Sequence, residues 1–195
     1  MRLTVLTAAV WLVVAALAAA LASAAPPPAK EGGSMAKFAL TSADFSEGGT
    51  IAIAQVFTDC RGGNVSPALK WSGAPEGTKS FALLVHDPDA PTGSGWWHWI
   101  AYNIPAGTTS LPAGAGDPQR TLMPAGAVQA RNDYGTIGYG GPCPPPGQPH
   151  HYHFRLYALK VAKLEVPADA SAAAIGFNVR AQALGTAELM GLYGR

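Results

Sequence analysis

Two runs near the middle of the chain, Ser80 to His86 and Trp97 to Ile104, carry apolar residues at odd and even positions alike. A strand that alternates can leave one face in water, whereas a strand apolar on both faces has to be covered twice. These two are therefore expected as central strands of a sheet. The segment between them, Asp87 to Trp96, holds two prolines and two glycines, which remove donors and favour turns, so it is a loop.

The rest of the chain repeats this character. Phe38 to Ala43, Ile51 to Phe57, Ala68 to Trp71 and His151 to Val161 read as further strands, the second of them on its Ile and Val content. Asp59 to Asn64 is turn chemistry, and Gly126 to Gly147 is a glycine-rich loop closing on a proline run. Only Asp169 to Leu184 has helical character: Asp169 or Ser171 can cap it, and Ile175, Val179 and Ala183 share a face. The expected class is mainly β, a two-sheet antiparallel sandwich with Greek-key connections and a C-terminal helix.

The first 24 residues are of a different kind. Arg2 gives a positive start, Val5 to Leu21 are almost wholly apolar, and Ala22-Ser23-Ala24 suits processing. This reads as a signal peptide cut after about Ala24, with a retained signal anchor as the alternative. Residues 25–35, with three consecutive prolines, are expected as a disordered lead-in, and residues 36–195 as one domain. Removing Arg2 with the leader leaves twelve basic and twelve acidic side chains and no Lys/Arg cluster, which argues against nucleic acid as a partner. Export, periplasmic or secreted, implies an oxidising compartment. Cys60 and Cys143 are then read as a disulfide, two free thiols being the rival reading.

Polar residues interrupt the buried rows at one end. In an extended Ser80 to His86, the row Phe81, Leu83, Val85 continues to Asp87 and, approximately, Asp89, while Pro88 and Pro91 stiffen the turn. His150 is in phase with Tyr152 and Phe154 at the mouth of another apolar row, and His98 is in phase with Ile100 and Tyr102. Asp87, Asp89, His98, His150 and Tyr152 are thus expected around a small pocket. A carboxylate beside an imidazole favours its charged form and fixes its orientation, and an imidazolium with a tyrosine hydroxyl offers donors to an anion. Two Asp and two His could also hold a metal, but no close His pair falls within the set, and none is expected. His151 and His153 form a His-X-His on the opposite, outer face.

The stretches "NVSPALKW" (64–71), "HDPDAPTGSGWWHWIAYNIP" (86–105) and "GYGGPCPPPGQPHHYHFRLYALKV" (138–161), with the ending "GLYGR", closely resemble the phosphatidylethanolamine-binding protein family, in its bacterial Raf-kinase-inhibitor-like branch. The resemblance implies a large antiparallel sheet packed on a smaller one, a helix near the C terminus, and a cavity at one end that takes phosphate-like groups. Matching positions are Asp87, Asp89, His98, His150 and Tyr152, with Pro91 and Gly141-Pro142 in the wall. The run Cys143-Pro144-Pro145-Pro146 departs from the animal members, whose kinase partners are not carried over.

Three functions follow as expectations. The first is an exported binding module, without cofactor, whose anion pocket takes a phosphate-like or carboxylate group such as a phospholipid head group. The second is an inhibitor of an extracytoplasmic enzyme through protein contact. The third is a hydrolase using His98 and His150, for which no nucleophile beside a base is evident. The sequence leaves the oligomeric state open, a homodimer included.

Overall fold

The structure, a computed structural model, describes residues 37–195. The expected leader, its cleavage site and the lead-in to residue 35 lie outside the described residues.

Among the described residues, nine strands and one α-helix follow one another: β1 (Ala39–Ser42), β2 (Gly49–Thr50), β3 (Leu69–Ser72), β4 (Ser80–Asp87), β5 (Trp96–Pro105), β6 (Ser110–Leu111), β7 (Val128–Gln129), β8 (His150–Leu159), α1 (Ala172–Gln182) and β9 (Ala183–Tyr193). They form a three-stranded sheet in the order β1-β3-β6 and a six-stranded sheet in the order β2-β9-β8-β4-β5-β7. Every pair is antiparallel except β2 on β9, which is parallel over two residues.

β4 sits between β5 and β8, as its two apolar faces require. Phe81, Leu83 and Val85 enter one apolar cluster with Leu40, Trp71 and Leu111 of the small sheet. Ala82 and Leu84 enter another with Ile100, Tyr102 and the helix residues Ile175 and Val179. The large sheet is therefore covered by the small sheet on one face and by α1 on the other. α1 starts one residue after Ser171, whose hydroxyl accepts from the Ala174 N–H at 3.2 Å as an N-cap.

Two segments differ from the sequence reading. Ile51 to Phe57 is not a strand: after β2 it forms a 3₁₀ turn at Ile53–Gln55, and a second turn follows at Thr58–Cys60. Ile51 and Val56 are buried as their side chains demand, but the carbonyls of Ile53, Ala54 and Val56 accept from Gly63, Val65 and Asn64 instead of joining a ladder. Ile and Val report burial here, which a turn satisfies as well as a strand does. The helix ends at Gln182, so Ala183 and Leu184, expected as its last residues, instead open β9, an eleven-residue strand whose remainder the sequence reading leaves unassigned.

Candidate functional site

At the end of β4 Asp87 is 3 % exposed, and both of its carboxylate oxygens are engaged. Its Oδ1 accepts from the backbone N–H of Asp89 at 2.9 Å and of Ala90 at 3.2 Å, which curls the chain into a turn directly after the strand. Its Oδ2 lies 2.8 Å from Nδ1 of His150, the first residue of β8. A carboxylate only accepts, so Nδ1 carries the proton and donates. With Nδ1 committed to Asp87, Nε2 is the ring atom left to meet a ligand.

The turn takes Asp89 off the row that the extended reading assigned to it. Its side chain stands half-exposed at the rim, where Oδ2 accepts from the backbone N–H of His151 at 2.8 Å and meets its Nδ1 at 2.7 Å. Burial works to raise the Asp89 carboxyl, and the hydrogen bonds from His151 outweigh it, holding the group below its ordinary value. The pair of acids thus divides: Asp87 serves a pocket histidine and Asp89 an outer-face one.

His98 reaches the site by a route that period-two counting does not give. Val85 faces Trp99 while His86 faces Trp97, so β5 has one residue more than β4 at this point, and the extra residue is His98. A bulge re-aims the side chain it carries. His98 therefore leaves the helix-side row of Ile100 and Tyr102 and joins Tyr152, with ring centroids 5.1 Å apart. Its Nδ1 donates to the carbonyl of Gly140 at 2.7 Å, and its backbone carbonyl accepts from the Gly140 N–H at 2.8 Å. Burial lowers the imidazole to about 4, against the opposing pull of the Gly140 carbonyl and Asp87, so at neutral pH the ring is uncharged.

Together these residues line a cavity of about 180 Å³, bounded by Asp87, Pro91, Trp96, His98, His150 and Tyr152, among others. Among the described residues, His98 Nε2, the Tyr152 hydroxyl and Trp96 Nε1 are buried without a hydrogen-bond partner. Burial, with the Asp87 charge nearby, pushes the Tyr152 phenol up, so it stays protonated and able to donate. No three His, Cys, Asp or Glu side chains gather closely enough to hold a metal ion among the described residues.

Tyr134 also lines the cavity, although the sequence gives no sign of it. It lies in an irregular loop, stacked on Phe57 at 4.0 Å, and its hydroxyl donates to the carbonyl of Gly141 at 2.9 Å. Gly141 itself stands behind the wall. Its N–H donates to Asn64 Oδ1 at 2.8 Å, and a Cβ there would lie 2.0 Å from the Gln55 carbonyl oxygen. Pro142 is buried alongside, its carbonyl accepting from the Phe57 N–H. The wall proper is Cys143, Pro144 and Pro145. It is fastened by the Cys60–Cys143 disulfide, with Cα atoms 5.6 Å apart, and by Arg195, whose Nε donates to the Pro144 carbonyl at 2.6 Å.

Comparison with known proteins agrees with this architecture. The family model described as phosphatidylethanolamine-binding protein matches residues 41–194. The chain is similar to the UPF0098 protein YbcL of Escherichia coli, at 52 % identity over 81 % of this chain and 88 % of the relative. It is also similar to YbhB of the same organism, at 43 % identity over 79 % and 98 %. A crystal structure of E. coli YbcL, described as a new member of the mammalian PEBP family, superposes with a TM-score of 0.79, covering 82 % of this chain and 99 % of that one.

Proposed function

The chain belongs to the phosphatidylethanolamine-binding protein family, and from that premise we propose that it is an exported binding module whose cavity takes a phosphate-like or carboxylate oxyanion. The observation that carries this reading is the set of buried polar atoms without partners around one small cavity. Buried donors left unpaired are unfavourable by about 1–3 kcal/mol each, and an oxyanion relieves several at once. Trp96 Nε1 and the Tyr152 hydroxyl can each donate, and His150 adds a donor at Nε2 when protonated.

Asp87 presents less of its carboxylate to such a ligand than a free one would, because Oδ1 accepts from two backbone N–H groups and Oδ2 faces His150. Its role is to orient the His150 ring. The volume suits a head group rather than a whole lipid, since drug-sized pockets run to several hundred Å³. Export is supported by the apolar leader and by a disulfide that an oxidising compartment would preserve.

Calorimetric titration with orthophosphate tests the reading. Wild-type protein is expected to bind and His150→Ala to bind at least ten-fold more weakly. Failure of the wild type to bind, or unchanged binding in the variant, would overturn it.

A further inference from the structure

The cavity leaves the outer-face pair, His151 and His153, without a task. Alternation along β8 sets them on the face opposite Tyr152 and Phe154, where their rings stack with centroids 6.4 Å apart and planes 27° from parallel. Both rings are held in the same way. His151 Nδ1 donates to Asp89 Oδ2 at 2.7 Å, and His153 Nδ1 donates to Glu188 Oε1. A carboxylate only accepts, so each Nδ1 carries the proton and each neutral ring presents a lone pair at Nε2. A carboxylate behind the far nitrogen is how proteins orient metal-ligating histidines and raise their basicity.

A third donor stands beside them. Met190 of β9 is the register partner of His153, so its half-buried side chain lies on the same face of the sheet. His86, the partner of His153 on the other side, is already engaged: its ring packs on Trp97 at 4.3 Å and its Nε2 meets the Ser94 carbonyl at 3.0 Å.

From this arrangement we infer a second site, separate from the oxyanion cavity and independent of it, in which His151 Nε2, His153 Nε2 and the Met190 thioether hold one monovalent copper ion. Two imidazoles with a thioether are a soft donor set, which suits Cu(I). Zn²⁺ is served worse, because it is bound through four ligands and the nearby carboxylates are already accepting from the histidines and from Arg155. Charge agrees with a monovalent ion: Asp89 and Glu188 bring two negative charges and Arg155 one positive, so a single positive charge neutralises the group. The His151 side chain and that of Asp89 are both exposed, which gives the pair room to swing toward His153 as the ligands converge on one ion.

Anaerobic titration of the purified protein at pH 7.5 against copper(I) held by bicinchoninate, a coloured chelator, provides the test. Both cysteines are joined in the disulfide, so no thiol competes for the metal. The wild type is expected to withdraw one copper per chain, and X-ray absorption of that complex to show two nitrogen neighbours and one sulfur. Met190→Leu, which conserves volume, is expected to bind at least ten-fold more weakly, and the double variant His151→Ala with His153→Ala to leave the colour unchanged. Zn²⁺ is expected to bind the wild type at least ten-fold more weakly than Cu(I). No withdrawal of copper by the wild type, a complex without sulfur, or full uptake by the double variant would overturn the inference. Absorption on the wild type alone is decisive, so the outcome does not depend on any variant folding.

Discussion

Removing Asp87 separates its two tasks. In Asp87→Ala, three donors lose their acceptor: the N–H groups of Asp89 and Ala90, and His150 Nδ1. Hydrogen bonds to a charged acceptor contribute about 1.5–3 kcal/mol each. The turn donors are only part-buried and water replaces some of their loss, so the expected destabilisation is about 4 kcal/mol. Asp87→Asn keeps an oxygen at the Oδ1 position and changes only the contact with His150, where an amide N–H now faces Nδ1. The ring answers by moving its proton to Nε2, and the expected loss is about 1 kcal/mol. In a domain of this size each 1 kcal/mol shifts Tm by about 2–4 °C. Thermal melts should therefore fall by about 12 °C for Ala and about 3 °C for Asn. Nitrogen-15 shifts of His150 in the Asn variant should report Nδ1 as the unprotonated atom. Equal melting points for the two variants would refute the division of labour between Oδ1 and Oδ2.

Lowering the pH should destabilise the fold before the carboxylates titrate. His98 is held at about 4 by burial, while an unfolded histidine titrates near 6.5, so the unfolded chain binds more protons between those values. Stability then falls as pH drops from about 6.5 to about 4, by up to about 1.4 kcal/mol per unit. His86, also lowered by burial, acts in the same direction, and Asp89 and Glu188, held below their ordinary range, lose their contributions only below about pH 4. Urea midpoints between pH 7.5 and 4.5 check this, and a flat profile would contradict it. Replacing Cys60 and Cys143 by serine opens a bridge spanning 83 residues and should remove up to about 4–5 kcal/mol in urea unfolding, with weaker phosphate binding because Cys143 lines the cavity. Gly141→Ala drives a Cβ to 2.0 Å from the Gln55 carbonyl oxygen and should lower stability by about 2 kcal/mol, loosening Tyr134 with it. A wild-type melt for that variant would mean the backbone yields there without strain.

Periodicity made the centre of this fold legible. Ser80 to His86 is apolar on both faces because the small sheet covers one and α1 the other, and Tyr152, Phe154 and Leu156 share the core face as their spacing requires. β9 escapes the same reading because Ala, Leu, Glu and Met favour helix, and two glycines break the strand pattern. Gly191 is there for packing, since a Cβ would lie 2.7 Å from Ile51 and 2.8 Å from Phe45. At the cavity, alternation brings Asp87, His150 and Tyr152 together. It cannot give Asp89, whose direction is set by the turn that Asp87 itself caps, nor the true face of His98, because a one-residue bulge leaves no mark in the pattern of apolar residues. Tyr134 is illegible for a further reason: it comes from a loop held by stacking on Phe57 and a hydrogen bond to Gly141, both distant contacts.

The most direct test of the central claim is a crystal structure of the protein purified without phosphate and then saturated with methyl phosphate. The account predicts one phosphoryl group in the cavity, within hydrogen-bond distance of Trp96 Nε1, the Tyr152 hydroxyl, His150 Nε2 and His98 Nε2, with the Asp87–His150 contact intact. An empty cavity at saturating ligand, or a phosphoryl group seated elsewhere on the surface, would contradict it.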